Sequence, residues 1–250
     1  MSTLTSSSPY ALAAAAATGA AAATAFIAAH QALTTCARKA TDGPAVLHHV
    51  PGTISSPIVS VLVELGVPET AVVVRTLTFP ELKQPLNTDI NPMGSSPSFQ
   101  DGSLKIWESA AVLMHLLETH DTSNRLHPPI HSEKRAQYLQ LQAYIIATVY
   151  PFVASLFLHT LKPADQQDAS FVAGGKAKWK DLLAPTLAAA LGSQPYLLGD
   201  ELSAADLLLA KPLRNADALG VLQPFPTLAA LFERVKARPS YEKAYAPKPS

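Results

Sequence analysis

A chain of 250 residues can bury a sizeable core, and its 19 basic and 19 acidic side chains cancel, leaving no excess charge to attract nucleic acid or another polyanion. Cys36 is the only cysteine. That excludes an intrachain disulfide framework and any multi-cysteine metal site, and it is compatible with a reducing compartment, cytoplasmic or organellar.

Residues 1–43 read as an alanine-rich extension, with no acidic side chain before Asp42 and an uncharged run, residues 6–37, closed by Arg38 and Lys39. Three readings stand open. The run exceeds the ~20 residues needed to cross a bilayer, but only Leu12, Phe26, Ile27 and Leu33 are strongly apolar, so residues 9–35 suit a membrane-associated or partner-bound helix better than a firm anchor. An acid-free, serine-rich targeting segment and an inert helical arm are the alternatives.

From residue 44 the pattern becomes globular. Residues 45–50 read as a short buried strand and Pro51-Gly52 as a turn. A helix starts near Ser56-Pro57, serine suiting the cap and proline the first helical position, and carries Ile58, Val61, Leu62 and Leu65 as far as Gly66. A second strand begins at Val72 and runs to about Phe79, and a short helix covers residues 81–86. Two strands follow, around Phe99 and Ile106, turned by Asp101-Gly102, then a helix for which Ser109 is the expected cap. The order βαβαββα is that of a thioredoxin-like α/β unit, expected over residues 44–122.

Beyond a polar, proline-containing linker at residues 120–131, everything reads as helix, giving an expected all-α domain over residues 131–250. A long amphipathic helix spans residues 132–161, with Pro151 expected to kink it. Residues 163–175 are too polar and glycine-broken to assign, residues 176–191 are helical with Gly192 as the stop, and a last helix covers residues 227–237. In between, Ser203 and Asp206 have the spacing of a capping box, with Leu202 and Leu207 as its hydrophobic staple. Asp206 is read as structural.

The run NPMGSSPSFQDG followed by ESAAVL, residues 91–102 and 108–113, resembles the glutathione-binding half of the glutathione transferase family. The resemblance covers residues 46–241. It implies a cis proline whose preceding residue pairs with the cysteinyl part of glutathione in the manner of an added strand, and an acid-serine pair at the γ-glutamyl end. Carried over, Ser96, Pro97, Glu108 and Ser109 bind the tripeptide, and Lys83 and Gln84 are candidates for its glycyl carboxylate, a solvated loop being the alternative. Ser96 departs from the aliphatic residue usual at its position.

The family's reaction needs the thiol as its anion, because a free thiol with pKa near ~8.5 is mostly protonated at neutral pH. A hydroxyl donor aimed at the sulfur lowers that value. Thr53, Ser55 and Ser56 are the candidates, and counting back from Gly66 places Ser55 where serine-type members hold theirs. Ser56 has a competing role as helix cap and Ser55 as a turn residue. The cysteine of bacterial-type relatives is replaced by Ile54, and Val59 and Ser60 stand where an arginine is common. Tyr150, Phe157 and His159 are candidates for an apolar second pocket, or core.

His48 and His49 alternate across a strand and cannot jointly face one metal. His127 and His131 have no carboxylate or thiol ligand evident nearby in sequence, so no metal site is expected. The resemblance thus implies a transferase joining glutathione to a small electrophile, as a homodimer or as a subunit of a larger assembly. The alternative is a catalytically silent accessory subunit of the same fold, tethered to a membrane by the N-terminal helix.

Overall fold

In the computed structural model residues 43–248 are described, so the expectations for the alanine-rich segment lie outside the described residues. The chain begins with β1 (Ala45–His49), α1 (Ser56–Leu65) and β2 (Val72–Thr76). A 3₁₀ turn at Glu81–Lys83 and a one-turn helix α2 (Pro85–Thr88) lead to β3 (Ser98–Asp101), β4 (Leu104–Trp107) and α3 (Ser109–His120). The sheet order is β2-β1-β3-β4, with β1 parallel to β2 and the other pairs antiparallel. β2 stops short of the expected end because Thr78 turns onto Glu81, whose carboxylate accepts from the Thr78 N–H and hydroxyl, leaving Phe79 exposed.

Register sets the site. Val46, Leu47 and His48 face Gln100, Phe99 and Ser98 across β1 and β3, and Ser98 in turn faces Trp107 on β4. One step further along each strand, the chain just after β1, the Ser96-Pro97 segment before β3 and Glu108 after β4 therefore meet at one end of the sheet.

Residues 120–131 are held rather than loose. Asp121 accepts from the Arg125, Leu126 and His127 N–H groups, and its Oδ2 lies 2.8 Å from His127 Nδ1. The expectation that His127 has no carboxylate neighbour is thus corrected. The pair is a local clasp, and among the described residues no group of three metal-ligating side chains occurs.

The helical part comprises α4 (Lys134–Thr160), α5 (residues 169–191), α6 (Ala204–Ala218), α7 (Pro226–Lys236) and α8 (Pro239–Tyr245). Pro151 does not end α4, which runs on through it. A π-turn at Ile145–Val149 precedes it, widening the ladder where the proline lacks an N–H and its ring would meet the carbonyl four residues back. α5 repeats the device, running Ala169–Lys178, a π-turn at Trp179–Leu183, and Ala184–Leu191 with Pro185 just inside.

α5 starts seven residues before the expected position. Asp168 caps it, accepting from the Ser170 and Phe171 N–H groups, and the glycines that argued against helix serve packing. A Cβ on Gly175 would come within 2.7 Å of Leu156 Cδ1, so a larger residue there has to displace the Leu156 side chain. Ser203 and Asp206 form the capping box at α6, and Asp206 Oδ1 also accepts from the Leu197 N–H at 2.7 Å, tying in the preceding loop.

α8 returns to the sheet-bearing part and packs on α1. Glu64 at the end of α1 accepts from Arg238 Nε and Nη2 at 2.6 and 2.7 Å and from the Ser240 hydroxyl at 2.5 Å, and Ser60 donates to the Ser240 carbonyl. Pro44–Ser250 forms one compact unit, with a shared core from Leu47 and Phe99 on the sheet to Tyr138, Trp179 and Leu208 among the helices.

Candidate active site

The turn after β1 carries the three hydroxyl candidates, and the structure separates them. Ser55 is fully buried. Its Oγ lies 2.7 Å from His49 Nδ1, 2.8 Å from Thr53 Oγ1 and 3.2 Å from the Val50 N–H that donates to it. Ser56, also fully buried, does not cap α1. Its Oγ accepts from the Gly52 N–H at 2.9 Å and so closes the turn. Thr53 alone of the three keeps exposure, and its Oγ1 lies 3.1 Å from Ser96 Oγ. Ser55 is thus enclosed by His49, Val50 and Thr53, while Thr53 keeps its exposure beside Ser96.

His49 sits at the base of this chain of hydroxyls. Burial, partly opposed by a hydrogen bond to the Ala244 backbone on α8, lowers its pKa to about 4, so the ring is neutral under ordinary conditions. The Ser55 oxygen accepts from the Val50 N–H, and the Thr53 hydroxyl, in contact with Ser55, donates to the Val50 carbonyl at 2.8 Å. Sequence reasoning set His49 aside as structural; its role in orienting Ser55 has no signal in the one-dimensional pattern.

Across the groove, the Ser96–Pro97 peptide bond is cis. Two asparagines hold this segment. Buried Asn87 donates to the Leu82 and Ser95 carbonyls and meets His48 Nδ1 and the Ser98 hydroxyl through its Oδ1, and Asn91 donates to the Ser95 carbonyl at 3.0 Å. Neither was singled out from sequence, although four-residue spacing ahead of Pro92 is visible there. Lys83 lies along Gly94 and donates to the Met93 carbonyl at 3.2 Å. Gln84 is exposed beside it. Lys83 thus borders the segment that leads to Ser96.

Glu108 occupies the cap position of α3 with φ 73° and ψ 124°, and no side chain caps the helix. Ser109 is instead the first helical residue and is buried. The expected Ser109 cap is corrected, with a chemical consequence: the first N–H groups of α3 are not consumed by a side-chain cap and face the same end of the sheet as Thr53 and Ser96. A positive φ at a non-glycine residue costs ~1 kcal/mol or more, and such costs cluster at ligand sites.

Of the second-pocket candidates, Tyr150 bonds the Ile54 backbone next to the turn, and Phe157 is half-buried facing Lys211. His159 is turned elsewhere, its Nε2 accepting from the Asp168 N–H at 2.7 Å and its ring against Phe171. The arrangement as a whole can hold an extended peptide along Ser96, receive a carboxylate at α3, and place a hydroxyl beside whatever lies over Thr53.

Comparison with known proteins follows the same lines. Residues 148–246 match the family model described as glutathione S-transferase, C-terminal domain. A glutathione S-transferase of Silene vulgaris is 30% identical over 173 residues, spanning 66% of this chain and 79% of that protein. Glutathione S-transferase Z2 of Arabidopsis thaliana is 28% identical over 159 residues, 62% of this chain and 70% of that protein. Among solved structures, a glutathione S-transferase from Xylella fastidiosa superposes with a TM-score of 0.67 at 27% identity, covering 80% of this chain and 96% of that one. A family member from Pseudomonas fluorescens, with two glutathione molecules bound, superposes at 0.71 with 17% identity over 81% and 92% of the chains.

Proposed function

The chain belongs to the glutathione S-transferase family, and from that premise we propose that it joins the glutathione thiolate to a small electrophile, with Thr53 rather than Ser55 as the hydroxyl at the sulfur. The observation that carries this reading is the convergence, through strand register, of Thr53, the Ser96 backbone and the uncapped start of α3 on one end of the sheet.

In this reading glutathione lies extended against Ser96, its γ-glutamyl carboxylate on the first N–H groups of α3 beside Glu108 and Ser109, and its glycyl end toward Lys83 and Gln84. On binding, the Thr53 hydroxyl turns its one proton from the Val50 carbonyl, 2.8 Å away, to the sulfur, and so stabilises the anion relative to the thiol. His49 and Ser55 hold Thr53 in place from behind. The thiol proton passes to solvent, the sulfur forms a bond to the electrophilic carbon, and the leaving group departs with its electron pair. Every group invoked stabilises charge or fixes position, and no covalent bond to the protein forms.

Conjugation of glutathione to 1-chloro-2,4-dinitrobenzene by the purified full chain tests the proposal. Turnover above the uncatalysed rate that collapses in Thr53→Ala supports it, and background rates throughout overturn it. The burial of Ser55 and the absence of an arginine at Val59 and Ser60 favour a second reading, a silent family member acting as an accessory subunit with residues 1–43 as its tether. That reading predicts no detectable heat on titration with glutathione and recovery of the chain in the membrane fraction.

A further inference from the structure

The helical half carries two cations that the reaction just described leaves unused. Lys211 on α6 is 4% exposed, and its Nζ has one hydrogen-bond partner, Asn215 Oδ1 at 2.6 Å. An ammonium has three N–H donors, so two of them have no acceptor among the described residues. Phe157 on α4 presents its ring 6.0 Å from the charge. Arg214, one turn along α6, is exposed. Its guanidinium lies 5.6 Å over the Tyr245 ring, bonds the Tyr241 hydroxyl, and reaches within 3.9 Å of where a Gly52 side chain would start.

No carboxylate pairs with either cation among the described residues. Burial and the like charge of Arg214 pull the Lys211 pKa down to about 8, and the hydroxyl of Tyr245, whose ring lies under the same guanidinium, is buried with no hydrogen-bond partner among the described residues. Holding two neighbouring positive charges and an orphan phenol without an anion is costly. Arg214 brings this uncompensated charge beside Gly52, one residue from Thr53. A pocket for a purely apolar electrophile has no use for it.

We propose that Arg214 and Lys211 form an anion subsite next to the 51–53 turn, which receives a carboxylate carried by the electrophile and so turns its reactive carbon toward Thr53. Arg214, at the surface, meets the anion first; Lys211 and the Tyr245 hydroxyl lie behind it. Neutral electrophiles reach the same turn without this hold.

The proposal rests on the transferase reading for its setting, and two measurements keep the two apart. Calorimetric titration of the full chain with benzoate needs no turnover. Binding that weakens with added salt and falls about tenfold in Arg214→Gln is expected from loss of a charge-assisted pair, and no binding, or equal binding in the variant, overturns the subsite. In the conjugation assay, 4-chloro-3-nitrobenzoate is compared with 1-chloro-2,4-dinitrobenzene. Arg214→Gln and Lys211→Met should each lower kcat/KM for the carboxylate by about tenfold while changing the neutral substrate by less than about twofold. Equal losses on both substrates overturn the proposal, and Arg214→Gln, being on the surface, answers the question even where Lys211→Met fails to fold. Benzoate binding without turnover of either halide leaves the subsite standing and removes the transferase; turnover of both halides with no effect of Arg214→Gln does the reverse.

Discussion

Removing the Thr53 hydroxyl separates this account from one that places Ser55 at the sulfur. Thr53 is the candidate hydroxyl with exposure, 3.1 Å from Ser96, and a hydrogen bond to an anion is worth about 1.5–3 kcal/mol. Thr53→Ala should therefore lower kcat/KM about 10- to 100-fold and raise the pKa of bound glutathione by about 1–2 units. The variant's acid limb then moves to higher pH, because the thiolate is fully formed only above the raised pKa. Thr53→Ser should restore most of both. Ser55→Ala takes away the oxygen that serves the Val50 N–H and His49 Nδ1, two buried groups, so it should cost stability by about 1–3 kcal/mol and move the thiol pKa less than Thr53→Ala does. Thiolate absorbance of the bound tripeptide against pH reads the pKa directly, and urea unfolding reads the stability. A thiol pKa that rises in Ser55→Ala and stays put in Thr53→Ala would refute the assignment.

Three further outcomes follow from the fold. His49 is held at about 4 in the folded chain against 6.5 when free, so the unfolded chain binds more protons between those values and stability falls as pH drops through that window; the full shift is worth about 3 kcal/mol, and His49→Gln should flatten the slope measured by urea unfolding. Asp206 serves the Ser203 N–H and hydroxyl and the Leu197 N–H while fully buried, so Asp206→Ala should destabilise by about 2–4 kcal/mol and leave the KM for glutathione unchanged in whatever remains folded. Gly174 has open space around its Cβ position while Gly175 meets Leu156, so Gly174→Ala should stabilise α5 by about 0.5–1 kcal/mol and Gly175→Val destabilise it by about 1–3 kcal/mol, read as opposite shifts in Tm.

Much of the architecture could be read from local chemistry. The β1, α1, β3, β4 and α3 segments followed their apolar spacing and turn residues, and the Ser203–Asp206 box formed as its spacing implies. What misled was chemistry decided by partners distant in sequence. Gly174 and Gly175 argued for a break because nothing in one dimension announces that Leu156 lies against the helix. α8 is seven residues long and is held by Glu64, far away in sequence. In the site, Ser55 and Thr53 are both small hydroxyls in a turn, and only the neighbourhood of His49 decides which faces inward. Serine favours the cap position, yet neither Ser109 nor Ser56 caps its helix: Ser109 is the first helical residue, and Ser56 accepts from the Gly52 N–H.

The central claim is that the sheet end bounded by Thr53, Ser96 and the start of α3 holds glutathione, and calorimetric titration of the full chain with the reduced tripeptide tests it most directly. The account predicts saturable binding with a Kd in the micromolar to low millimolar range. Absence of heat at millimolar glutathione, in a chain shown to be folded, would contradict it.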